Sequence, residues 1–384
     1  MDFYVEPAFF CLLVPIVVIS VVLGVLEKPI GRFGCTASLI MCALMFFRTP
    51  VSAIFAAAYL ALSIALYKWV VKAFAEREGD GIPIAYKAAI VLQLLPLVAY
   101  KVGVVFTPDF PGFLGISYIT FKSLQVLIEV RDGLIKDMSL FEYVYFLSFF
   151  PTFTSGPILR SRVFVGDMRT TPTRDVYLER LYRGLGWFLV GALYKFVISG
   201  LAHWALWFVP EVAGSPALAW IAKTFFYGLD LFFDFAGYSA MAMGVGLVMG
   251  IEVPRNFRAP FLSIDIKDFW DRWHITLSTW LRDFVFMRFS RLCMERKVFD
   301  NRITTASVGF MVNMTLMGLW HGLTPAYIAY GVYHGALMAG FHFYQQKSKF
   351  YKAHRKEKWY KVASWALTMV FVFFGFALFA GYVF

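Results

Sequence analysis

Two histidines stand where an apolar pattern breaks, and that setting selects the chemistry open to them. His321 ends the run NMTLMGLWH and is followed by Gly322, with Gly318 and Pro325 on either side. Gly and Pro stop or bend a helix, so this imidazole is expected at a helix end inside apolar protein. A polar ring buried there costs free energy unless it has a partner or a task. Imidazole exchanges its proton near neutral pH, so the task that fits is general-base catalysis. His274 lies in DIKDFWDRWHITLSTWLRDFVFMRFSRL, residues 265–292. With successive residues turned by about 100°, Ile266, Trp270, Trp273, Leu277, Trp280, Leu281 and Phe284 share one face. Asp268, Arg272, Thr276, Thr279 and Asp283 share the other. The pattern predicts an amphipathic helix capped by Asp265 or Ser263, with Asp268 and Arg272 paired four residues apart. His274 falls at the border of the apolar face. It is either an interfacial ring beside aromatics or a ring aimed into a cavity, its tautomer fixed by a neighbour. His334 reads first as a satisfied core residue, and second as a group that supports the site from behind.

A second polar island, FFPTFTSGPILRSR at 149–162, carries Pro151, Gly156 and Pro157, which preclude a continuous helix. Non-helical backbone at membrane depth must be shielded by protein or line a cavity. Ser155 and Arg160 either meet a substrate there or belong to an ordinary loop with an interfacial arginine.

The elements that must position these groups follow from composition. Of 384 residues, 60% are hydrophobic and 16% charged. A soluble domain averages roughly 45–50% apolar and about 25% charged. Water could not be kept from that much apolar surface by a soluble fold. The chain therefore reads as an all-α polytopic membrane protein. Apolar runs fall near 8–26, 34–47, 51–75, 85–106, 112–130, 139–157, 184–209, 217–234, 236–251, 304–321, 325–345 and 362–384. About 20 apolar residues cross the hydrocarbon as a helix, so the expectation is 10 to 12 crossings with at least one re-entrant segment. The chain is taken as a single membrane domain: N-terminal helices over 1–110, a catalytic core over 111–345, and a basic loop with a last span over 346–384.

The net charge is +11 with His neutral. In a membrane protein such an excess sits in cytoplasmic loops beside anionic lipid. Segment 345–361 carries seven Lys or Arg and one Glu, and segment 160–183 six Arg against three acids. Both are expected on the cytoplasmic side, which puts the C-terminus outside. No basic tail or Cys/His finger accompanies the charge, so no nucleic-acid partner is expected. The four cysteines form no CxxC pair, and no HExxH, GxSxG or GxxxxGK[ST] pattern occurs. Metal, serine-hydrolase and direct ATP chemistry thus lack their signatures, and no cofactor or metal is expected. A many-span protein with two candidate catalytic histidines and no nucleotide site suits transfer of a preactivated acyl group. A thioester donor fits, with a hydroxyl as acceptor.

The stretches SGPILR (155–160), FDFAGYS (233–239), NFRAPF (256–261), FWDRWHITLSTWLRDFVFMR (269–288), NMTLMGLWHG (313–322) and GVYHG (331–335) occur in one order. In them the chain resembles the membrane-bound O-acyltransferase family, over more than half its length. Within that family it is similar to the branch that moves D-alanine toward teichoic acid. The alginate O-acetylase branch shares the tryptophan-histidine stretch but typically continues differently from FVFMRFSRL. Pro325, in TPAYI, departs from the branch, which more often carries an aromatic after the Thr.

The resemblance implies a membrane-embedded helical fold around a central funnel, in a bacterial plasma membrane. It implies His321 as the family's near-invariant histidine and His274 as its second conserved polar position. Trp273 and Trp320 would wall a tunnel. Asn313 would support His321, with Ser155, Arg160 and Arg282 as further substrate or supporting residues. The implied donor is the phosphopantetheine arm of a small acidic D-alanyl carrier protein docked at the cytoplasmic face, steered by basic loops. An extracytoplasmic transfer protein and membrane lipids are the other implied partners. O-acetylation of an exported polysaccharide is the competing expectation, and a transporter or scaffold a more distant one.

Overall fold

The computed structural model describes residues 3–77, 81–136, 138–211 and 214–384. Among the described residues all regular structure is helical. Seven helices are long and apolar enough to cross a membrane: Pro7–Val25, Pro50–Ala75, Ile84–Phe106, Arg174–Val209, Pro216–Val248, Arg302–His321 and Lys358–Phe379. In hydrocarbon every backbone N–H and C=O must be satisfied within the protein, and a helix does this within one segment. The chain is a multi-pass membrane protein.

The remaining apolar runs depart from the expected crossings for local reasons. The runs at 217–234 and 236–251 form one 33-residue helix, Pro216–Val248. The AGYS stretch between them holds no proline, and glycine is tolerated in bilayer helices. The run at 139–157 is interrupted as expected: Leu140–Ser148 is α-helical, Phe150–Thr152 forms a 3-10 turn around Pro151, and 153–160 is irregular. The run at 112–130 gives the 16-residue helix Ile116–Arg131, which buries Lys122, Gln125 and Glu129. At about 1.5 Å rise per residue it is too short for the hydrocarbon core. Gly31–Phe46 is likewise a short apolar helix.

The chain divides into two compact units. One comprises Met1–Ala192 and Gly237–Pro254. Its core is apolar but threaded with polar groups, several of them hydrogen-bonded within it. Lys122 is 1% exposed and donates to the Phe146 carbonyl and to Thr152 Oγ1, both at 3.2 Å. Tyr59 meets Thr120 Oγ1 at 2.7 Å and the Gln93 carbonyl at 2.9 Å. A Cβ on Gly191 would come within 2.6 Å of the Met241 nitrogen, so this glycine marks a close helix contact.

The other unit comprises Leu193–Ala236 and Arg255–Phe384. Its centre is the antiparallel hairpin of Arg302–His321 and Pro325–Lys347. The two backbones touch at paired glycines: a Cβ on Gly318 would lie 2.4 Å from the Tyr327 carbonyl oxygen, and one on Gly331 2.7 Å from that of Met314. The last helix, Lys358–Phe379, packs on the second arm, and Gly375 leaves room for the His334 ring.

The amphipathic segment 265–292 is the main correction to the sequence reading. It is not one helix. It runs as Ile266–Trp270, Ile275–Leu281, a π-turn over Arg282–Phe286, and Met287–Glu295. Asp265 caps the first piece, accepting from the Lys267 and Asp268 amides at 2.9 Å, and Arg272 Nε meets Asp268 Oδ1 at 2.6 Å, as the spacing predicts. The break falls on His274, whose φ is +43°. A left-handed conformation is costly for a residue with a Cβ and persists only where surrounding contacts enforce it.

Candidate active site

His321 is the last residue of Arg302–His321, with Gly322 as its C-cap. The helix ends there because Gly322 is extended and Thr324 caps the next helix, which starts at Pro325. The His321 ring is partly exposed and stands among aromatics. Its centroid is 4.6 Å from Trp320, 4.9 Å from Phe379, 6.0 Å from Tyr327 and 6.3 Å from Tyr330.

His274 is held by the NFRAPF stretch. The Ile275 amide donates to the Asn256 carbonyl at 2.9 Å, and Thr276 Oγ1 donates to Asn256 Oδ1 at 2.6 Å. The Arg258 amide donates to the Arg272 carbonyl at 3.0 Å. These bonds clamp both flanks of the left-handed residue. The ring is 4% exposed, packs edge-on to Phe235 at 4.7 Å, and lies 6.3 Å from Trp320. Burial, together with the nearby His321, holds its pKa well below the ordinary value, so the ring is a neutral imidazole. Its Nδ1 has no hydrogen-bond partner within the protein. Trp320 thus stands between two imidazoles, one partly open and one buried.

The clamp gives a measurable expectation. Asn256→Ala removes the buried acceptor of the Thr276 hydroxyl, and is expected to destabilise the protein by about 1–3 kcal/mol. A lowered unfolding temperature in detergent checks this.

The other predicted residues fall as follows. Trp273 is 5% exposed and packed among Phe232, Phe257, Phe269 and Phe376. Asn313 is buried on the histidine helix, with its Oδ1 unpartnered in the protein. Arg282 pairs with Asp283 at 3.0 Å and lines a cavity of about 680 Å³. Asn313 lines the same cavity, with Arg255, Arg258 and Lys267. Ala306, Phe310, Asn313 and Met317 line it from one stripe of the histidine helix. That stripe reaches Trp320 and His321 one turn later. Ser155 and Arg160 belong to the first unit. There Thr154 Oγ1 meets the Tyr238 hydroxyl at 2.6 Å, Ser155 adjoins that pair, and Arg160 lies within electrostatic reach of Glu129. His334 is 1% exposed and edge-on to Trp270 at 5.1 Å, so the core reading holds for its burial, although its Nδ1 has no partner in the protein.

The model of the membrane-bound O-acyltransferase family matches residues 47–383. The chain belongs to this family. It is 37% identical over 383 residues to a teichoic acid D-alanyltransferase of Bacillus subtilis, covering 97% of this chain and 96% of that one. It is 41% identical over 310 residues to a teichoic acid D-alanyltransferase of Streptococcus thermophilus, covering 76% and 74%. A probable alginate O-acetylase of Pseudomonas syringae is 32% identical over 273 residues, covering 69% of this chain and 48% of that one. Membership of the family makes the chain an acyltransferase. The sequence reading left out one group of side chains in the second unit: Lys195, Ser199 and His203 facing Asp230 and Asp234. Their signal was ionisable residues inside apolar runs.

Proposed function

We propose that the chain is a D-alanyltransferase. It moves D-alanine from a carrier-protein thioester to a hydroxyl acceptor on the way to teichoic acid or a similar envelope polymer. The observation that carries this reading is His321 at a helix end, partly open and joined through Trp320 to the buried His274. The similarity to D-alanyltransferases over nearly the whole chain supplies the acyl group. The similarity to alginate O-acetylases is lower and reaches about half of their length, which makes O-acetyl transfer the weaker reading.

The chemistry follows from the two rings. The acceptor hydroxyl gives its proton to His321 as its oxygen attacks the thioester carbonyl carbon. The C–O bond forms and a tetrahedral oxyanion develops. A neutral His274 donates a hydrogen bond to that oxyanion without carrying charge of its own. Collapse breaks the C–S bond, and the leaving thiolate takes the proton back from His321. Atoms and charge balance with no further reactant. Aromatic walls keep water from the thioester, favouring transfer over hydrolysis.

The donor arm is phosphopantetheine on a small acidic carrier protein. The cavity lined by Arg255, Arg258, Lys267 and Arg282 offers its phosphate a cluster of cations. The carrier docks on the cytoplasmic side of a bacterial plasma membrane. The basic 345–361 segment lies on that side and the C-terminus on the other. An extracytoplasmic transfer protein receives or passes on the acyl group. Residues 1–384 act as one membrane domain. Trp273 and Trp320 wall the substrate path, and Asn313 supports His321.

The test is transfer of labelled D-alanine from loaded carrier protein in membranes holding the full chain. Activity with an acetyl donor and none with the D-alanyl carrier would overturn the reading. Arg258→Ala is expected to raise KM for the loaded carrier roughly tenfold with little change in kcat, because a phosphate contact is kept through the reaction. Steady-state kinetics over a range of carrier concentrations measures it.

A further inference from the structure

The polar group left over in the second unit lies along two helices that read as membrane spans. Lys195 Nζ pairs with Asp234. Ser199 Oγ donates to Asp230 Oδ1 at 2.6 Å, and His203 Nδ1 meets Asp230 Oδ2 at 3.0 Å. Trp207 Nε1 donates to His203 Nε2 at 3.2 Å. With Nε2 accepting from Trp207, Nδ1 is the nitrogen that donates to Asp230. Asp234 has the Lys195 ammonium beside it; among the described residues Asp230 accepts from Ser199 and His203. Lys223, two turns earlier, sits over the Tyr382 ring at 4.3 Å.

An ionisable group at membrane depth faces protein or water and commonly has a function. The position of Asp230 suggests which one. On the same helix Phe235 touches the His274 ring, and Tyr227 lies within electrostatic reach of Asp230, Tyr327 and Tyr382. Tyr327 is one of the rings around His321. Tyr227 is one turn before Asp230 and shares its side of the helix, whereas Phe235, five residues on, is turned about 140° away, so the link from Asp230 toward His321 runs through Tyr227 and Tyr327. The carboxylate is 20% exposed, open enough to meet a ligand.

An acyl group chosen for this site must explain a carboxylate there. A D-alanyl thioester has an α-amine on the carbon next to the reacting carbonyl. Such an amine titrates at about 7.7–8.0, so it is largely a cation at neutral pH. Acetyl has no charge. A cation held among apolar walls needs a counter-charge, and aromatic faces add to its attraction. Resting on the D-alanyl reading above, we infer that Asp230, backed by Ser199 and His203 and flanked by Tyr227 and Tyr382, binds the α-ammonium of the aminoacyl group. It thereby sets the preference for an aminoacyl over a neutral acyl donor.

The experiment compares carrier protein loaded with D-alanyl or with propionyl, which has the same carbon skeleton without the amine. Membranes contain the full chain with its native partners. The wild type is expected to prefer D-alanyl by at least about tenfold in kcat/KM. Asp230→Asn is expected to lower D-alanyl transfer about 10- to 100-fold, the range for a hydrogen bond to a charged group, and propionyl transfer by less than about threefold. Asp230→Glu keeps the charge and is expected to keep a preference for D-alanyl. An equal loss with both donors in Asp230→Asn, no loss with either, or no preference in the wild type would overturn the assignment while D-alanyl transfer itself stands. Wild-type transfer of propionyl and not D-alanyl would sink the activity reading and this inference together. If Asp230→Asn does not accumulate in membranes, Asp230→Glu decides, and a preference lost there with propionyl transfer intact counts against the ammonium site.

Discussion

His321→Ala is expected to lower D-alanyl transfer about 10²- to 10⁴-fold, the contribution of a positioned general base. The ring touches aromatic neighbours on its flanks and ends a helix whose fold is set by contacts elsewhere. Its loss therefore should leave the protein inserted and abundant. The measurement is the single-turnover rate from saturating loaded carrier, alongside protein level in the same membranes. A rate close to wild type in a well-folded protein would remove His321 from the chemistry. A loss confined to KM would make it a binding residue, since a base acts on the chemical step.

The second large effect is expected at His274, where ring and backbone must be separated. Alanine deletes the imidazole but must still adopt φ of +43°, which an L side chain resists. Glycine deletes the ring and accepts that backbone freely. Both His274→Gly and His274→Ala are expected to lower the rate about 10²- to 10³-fold, the usual loss on removing one oxyanion donor. His274→Gly should remain the more stable of the two. Comparing single-turnover rates with unfolding temperatures tests this. A glycine variant with near-wild-type turnover would mean that the residue matters only as a hinge.

What the sequence discloses about this site depends on how local the cause is. The helix stop at His321 is written in its neighbours, Gly322 and Pro325, and it is found where they place it. The caps by Asp265 and the Asp268–Arg272 pair are also short-range and legible. The break at His274 is not. The apolar stripe runs through 265–292 with a helical period, and no Gly or Pro marks the turn. Its cause is the Asn256–Arg258 backbone, which bonds to both sides of the break from some 16 residues upstream. A periodicity argument has no access to such a partner. Over 217–251 the apolar pattern leaves one or two crossings open, and the structure has the single helix Pro216–Val248, because in a bilayer the backbone must stay paired. Lys195, Asp230 and Asp234 were visible in the chain as charges within apolar runs. A reading centred on interrupted helices passes over them, because they interrupt nothing.

The glycine pair at Gly318 and Gly331 has a consequence for how members of such a family diverge. Where main chain rests on main chain, there is no side chain to trim or enlarge, so the spacing of the two arms is fixed by peptide geometry. His321 inherits that fixity, being one turn from the contact. Drift in the surrounding rings can reshape the space beside the imidazole while the ring keeps its place. The position of the imidazole and the shape of its surroundings can therefore evolve separately.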